Sequence, residues 1–116
     1  MDIDDYPVKV ELVRPEGDEL GQVMTVLGRV CSRGDGYVLS VRSRRVFRVV
    51  GLDAMRSVPA WETAAIHRLG NMGLIFLVPE ESNLRSGAVR ARVNLLLPSE
   101  VGFDVMQAWW SLKQFG

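Results

Sequence analysis

Residues 88–97 read Ala-Val-Arg-Ala-Arg-Val-Asn-Leu-Leu-Leu, and their alternation commits them to a β-strand. Val89, Ala91, Val93 and Leu95 face one way, and Arg90, Arg92 and Asn94 face the other. Pro98 stops the strand. Ser99 then supplies an oxygen for the free N–H groups of a helix start, and Glu100 suits that helix's positive end. The chain therefore ends as strand then helix, and the rest of the fold must cover both.

The terminal helix has two apolar stripes. Val101, Val105, Ala108 and Leu112 make one, widened by Trp109; Phe103, Met106 and Trp110 make the other. A surface helix needs only one. The second stripe predicts a partner surface through Phe103, Met106, Trp109 and Trp110, most simply in a homodimer.

Upstream, Pro7–Arg14 alternates as a half-buried strand behind an acidic tail at 1–6, and Pro15–Asp18 is a turn. Residues 19–32 satisfy two patterns. Leu20, Val23, Met24, Leu27, Val30 and Cys31 recur at helical spacing, with Asp18 as N-cap. Gly21, Gly28 and the β-branched Val23, Thr25, Val26 and Val30 favour a strand over 23–32, folded at Arg33–Gly36 onto a strand over 36–42. The composition favours the strand. Further strands are predicted at 46–52 and 72–78, a helix opened by Pro59 at 59–69, and a polar loop at 80–87.

These elements predict a small, β-rich α+β domain over residues 7–116. Its antiparallel sheet of five or six strands curls into a partial barrel closed by the C-terminal helix. The alternative takes 19–32 and 59–69 as helices, giving a ferredoxin-like βαββαβ order with an added strand and helix.

The chain has 116 residues, 47% of them apolar, enough for one core. Its 14 basic and 14 acidic residues cancel, so no global field attracts nucleic acid. The charges are unevenly placed. Residues 1–19 carry seven acids against Lys9 and Arg14, whereas residues 29–48 carry six arginines against Asp35. The two segments either neutralise each other or leave the arginines for a ligand. One cysteine permits no intrachain disulfide, the acidic N-terminus is unlike a signal peptide, and no apolar run approaches a membrane span. The expected location is the cytoplasm.

Little points to catalysis. His67 beside Arg68 makes a poor base, Cys31 sits in apolar company, and neither matches a metal-ligand spacing. The reading is a non-enzyme with no cofactor and no metal. The strongest functional signal is the run Arg42-Ser43-Arg44-Arg45-Val46-Phe47-Arg48. Crowded guanidinium groups face solvent or an anion. Arg42 and Arg44 share a face if the strand is continuous there, and Arg44 and Arg48 do so if it begins at Arg44; Arg90 and Arg92 are a second same-face pair. If these strands are neighbours, four guanidinium groups converge on an anion site, with Arg45 in the same cluster. Such a site suits a phosphodiester ligand or a nucleic-acid backbone.

Arg44-Arg45-Val46-Phe47-Arg48 also resembles the RxxxR motif of PilZ domains, β-barrel receptors for cyclic di-GMP, with Arg44 and Arg48 as the matching pair. The stretch from Gly73 through Gly87 to Pro98 is similar to the strand, loop and strand that follow that family's second motif. The motif itself, Asp/Asn-x-Ser-x-x-Gly, falls on Arg68-Leu69-Gly70-Asn71-Met72-Gly73, where Gly73 alone matches. The resemblance implies a regulatory or adaptor module holding a cyclic dinucleotide or another anion. The departure implies a protein-binding role in place of the nucleotide. Two alternatives remain: a nucleic-acid-binding module, and a protein–protein interaction protein acting through its C-terminal aromatic helix.

Overall fold

Residues 19–31 form a helix because burial outweighs local preference. In the computed structural model, which describes residues 19–32 and 36–115, Val23, Met24, Val26, Leu27 and Val30 line the buried face of α1 (Glu19–Cys31). This corrects the strand expected at 23–32. Two glycines cost about 1 kcal/mol each in a helix. Fully burying one side chain such as Leu27, which is 0% exposed, returns roughly 1.5–3 kcal/mol. The predicted acidic tail, strand 7–14, turn 15–18 and most of the turn at 33–36 lie outside the described residues.

After α1 come β1 (Tyr37–Ser40), β2 (Val46–Val49), β3 (Met55–Ser57), α2 (Ala60–Asn71), β4 (Ile75–Ser86), β5 (Val89–Pro98) and α3 (Glu100–Phe115). The five strands make one antiparallel sheet in the order β3-β2-β1-β5-β4. The architecture is α+β with a C-terminal helix, as the sequence predicts. The sheet curls without closing into a barrel. Its two edges touch at one point: Ala54 bridges Arg85, whose N–H donates to the Asp53 carbonyl at 2.8 Å.

The alternation of β1 divides the core. Tyr37 and Leu39 join Val46, Leu96 and the inner faces of the helices. Val38 joins Phe47, Met55, Leu84 and Val93 in a second cluster on the other face. The touching edges bring Leu84 over Met55, so this face is buried without a helix.

Two further elements differ from the sequence reading. The three-residue β3 was not anticipated. Residues 80–86 are a strand, not a loop: Glu81–Ser86 pair with Val89–Asn94, and a bulge between Leu77 and Glu81 takes up the mismatch around Pro79. The side-chain amide of Asn94 donates to the Val78 carbonyl at 3.0 Å, occupying an acceptor beside the bulge.

The C-terminal helix starts where Ser99 predicts. The Gly102 N–H donates to Ser99 Oγ at 3.0 Å, and the Ser99 hydroxyl donates to the Gly73 carbonyl at 2.7 Å. Neither predicted stripe is the buried face as a whole: that face runs through Gly102, Val105, Met106 and Trp109, taking members of both, while Val101 and Leu112 are exposed. Met106 is 1% exposed and belongs to the core, which corrects its assignment to a partner surface. Trp109 is half-buried against the same core, whereas Phe103 and Trp110 remain exposed. Among the described residues, no helix is long and apolar enough to cross a membrane.

Candidate anion-binding cleft

A turn over residues 41–45 joins β1 to β2. The Ser40 N–H donates to the Arg45 carbonyl and the Arg44 N–H to the Ser40 carbonyl, both at 2.9 Å. Arg44 closes the turn at φ 62°, a left-handed conformation that costs a non-glycine residue roughly 1–2 kcal/mol. At its start, the Val41 N–H donates to the Arg92 carbonyl at 2.9 Å. This bond carries the β1–β5 ladder one residue beyond Ser40 and holds Arg42 beside β5.

Along β5, Leu96 is buried under the helices, but Arg92 and Arg90 on the same side of the strand are exposed. The helices thus cover only one end of β5. At the open end, Ser40, Val41 and Arg42 meet Asn83 and Arg90–Arg92 around a depression of about 550 Å³. Three arginines from segments almost fifty residues apart line this single cleft.

Their charges are incompletely compensated. Arg92 pairs with Glu81 at 3.2 Å. Arg42 and Arg90 have no carboxylate partner among the described residues. Arg90 also stands directly opposite Arg85 across the ribbon. Like charges at that position repel. Arg85 pairs with Asp53 at 3.5 Å, which relieves part of the repulsion.

The other arginines of the run point elsewhere. Because β2 begins at Val46 and not at Arg44, Arg44 and Arg48 do not share a strand face. Arg44 borders a separate groove of about 240 Å³ with Leu39, His67, Asn71 and Leu77. Arg45 stacks over Phe47, 5.5 Å from the ring centre. Arg48 is half-buried between Tyr37 and Arg56 of the neighbouring strands. Of the six predicted anion-site residues, the cleft gathers Arg42, Arg90 and Arg92. Asn83 and Ser40 are members that the sequence did not reveal. The stretch 80–87 reads as a polar loop, so nothing in the sequence marked Asn83.

A second polar group lies inside the protein. Arg29 Nη1 donates to Glu62 Oε2 at 3.0 Å and to the Tyr37 hydroxyl at 3.2 Å, and that hydroxyl donates to the same carboxylate. Tyr37 is fully buried and Glu62 is 5% exposed, so α1, β1 and α2 are tied together at a charged centre. Nothing in the sequence pattern marks this grouping.

Burial is the main cause that pushes the Tyr37 phenol up to about 12; Arg29 opposes the shift and Glu62 adds to it. A raised folded-state pKa stabilises the fold fully below the ordinary value of 10. That contribution is lost as pH climbs from 10 towards 12. The expected result is a fall in stability across this window that Tyr37→Phe reduces. In the ultraviolet, Tyr37→Phe should remove the phenol that ionises above the ordinary value of 10. Loss of a phenol titrating at 10 instead would contradict this.

The cleft is lined by guanidinium groups and an amide. Arginine does not exchange protons near neutrality, so these groups suit charge pairing and hydrogen bonding rather than proton transfer. Among the described residues, no three His, Cys, Asp or Glu side chains are grouped to hold a metal. Cys31 is half-buried beside the core, and burial raises its thiol pKa. No family model matches the chain, and neither a curated protein nor a solved structure matches it.

Proposed function

We propose that the protein is a non-catalytic regulatory or adaptor module that holds an anionic ligand in the cleft of Arg42, Arg90 and Arg92. The observation that carries this reading is the meeting of three arginines from separate hairpins around one open depression, two of them without a carboxylate partner among the described residues. Asn83 adds a neutral hydrogen-bonding group beside the charge. The cleft replaces the Arg44–Arg48 pair as the proposed ligand site. Cyclic di-GMP remains a ligand to try, on the strength of the PilZ resemblance alone.

The test is a thermal-shift titration with pyrophosphate, cyclic di-GMP and a short oligonucleotide. At least one should raise the melting temperature, and Arg42→Ala/Arg90→Ala should weaken that ligand at least about tenfold, as loss of two charge-assisted hydrogen-bonding groups predicts. Both side chains are exposed, so the double variant should fold with nearly unchanged stability. Arginine stays protonated, so binding of a permanently charged diester should not vary between about pH 6 and 9. A shift that survives the double variant, or no shift with any of the three, would overturn the proposal.

A further inference from the structure

We infer that the ligand is the phosphodiester backbone of a nucleic-acid strand, held without reading its bases; this rests on the cleft being the ligand site. The cations are arranged as a row, not as a ring around one point. Arg90 and Arg92 are two residues apart on one strand, so their Cα atoms are separated by about 6.6–6.8 Å along it. That step is comparable to the spacing of successive phosphates on an extended strand. Arg42 is held on the neighbouring strand by the bond from the Val41 N–H to the Arg92 carbonyl.

The row does not end at the cleft. Arg85, opposite Arg90, borders a second open depression of about 480 Å³ together with Arg56, Ser57 and Ser86. A monoanion or a compact diphosphate meets only part of such a surface. A polymer with regularly spaced charges meets all of it.

The lining also decides between polymers. Its apolar members are Val41 and Ala91, both small, and it has no aromatic side chain. Single-strand binders that grip bases do so by stacking them on aromatic rings. An acidic peptide would gain little here beyond charge, because no large apolar pocket accompanies the arginines. What remains is backbone contact, which positions a strand but carries no sequence information.

The experiment is fluorescence anisotropy of labelled single-stranded DNA, single-stranded RNA and duplex DNA, from about 50 to 200 mM salt. Three phosphates neutralised predict a slope of log K against log salt of about −2 for single strands and −2.7 for duplex. Arg42→Ala should reduce the slope by about 1 for every sequence tested. Arg68→Ala, on α2 and paired with Glu19 outside the cleft, should leave it unchanged. The three nucleic acids distinguish which strand form fits best. Pyrophosphate binding as tightly as an oligonucleotide, with no dependence on length, would overturn the polymer inference and leave the anion module standing. Preferential binding of polyglutamate would likewise overturn it in favour of an acidic protein. Absence of binding to every anion would remove both readings.

Discussion

Gly102→Ala is expected to lower the unfolding free energy by about 3 kcal/mol or more, the upper part of the range for overpacking. A Cβ built on Gly102 lies 2.0 Å from the Leu74 carbonyl oxygen and 2.9 Å from its carbon. The obstacle is backbone, so no side-chain rotation relieves it. Nor can Leu74 retreat easily. Its carbonyl accepts the Ser99 N–H at 2.9 Å, and its own N–H donates to the Leu69 carbonyl at 3.0 Å. Helix α3 must therefore lift away, which withdraws Met106 and Trp109 from the core. In a domain of this size the melting temperature should fall by about 10 °C or more. Gly70→Ala is the internal control. No atom lies within 4 Å of its added Cβ, and the change removes backbone freedom from the unfolded chain. It should be neutral or stabilising by up to about 1 kcal/mol. Equal stability of Gly102→Ala and the parent protein would show that α3 does not seat on Leu74 as described.

Glu62→Ala is expected to cost about 3 kcal/mol, at the lower end for breaking a buried ion pair. The lower end applies because the Arg29 side chain is 30% exposed, so water partly solvates it after the carboxylate is gone. The Tyr37 hydroxyl has no such relief, since Tyr37 is fully buried and loses the acceptor of its proton. Tyr37→Phe removes two hydrogen bonds to charged groups, one donated to Glu62 and one accepted from Arg29, and should cost at least about 1.5–3 kcal/mol. The two groups share one centre, so the double variant should cost less than the sum. Denaturant unfolding of the four proteins reads the coupling directly. Additive losses would mean that the two side chains contribute independently.

Where one element's own residues determined its structure, the sequence was sufficient. Ser99 marks the start of α3 through its side-chain oxygen, Pro59 precedes α2, and alternation sets β5. Where the decision belonged to distant partners, it was not. Residues 19–31 carry β-branched side chains and glycines that favour extension locally. Their helix exists because five side chains of one face are buried in the same core as residues of α2 and α3. Residues 80–86 are polar enough to read as a loop, yet Glu81–Ser86 pair along β5 and Leu84 turns into the second core cluster. Gly102 was the neglected signal in α3. A glycine inside a two-striped helix marks the side of closest approach, and so identifies Met106 as core.

The site divides in the same way. The arginine run identified the charge but not which members converge. Arg42 joins Arg90 and Arg92 because β1 pairs with β5, a strand five positions later in the element order. Arg44 and Arg48 separate because the turn extends through Arg45 before β2 begins. Charge density drew attention to the arginines; strand neighbours decide which of them converge.

The most direct test of that selection is an amide NMR titration of the full chain with pyrophosphate and a short oligonucleotide. Perturbed resonances should gather at residues 40–42, 83 and 90–92 for whichever anion binds, and Arg42→Ala/Arg90→Ala should abolish them. Perturbations centred instead on Arg44, His67 and Asn71, or no perturbation by either ligand, would contradict the assignment of the cleft.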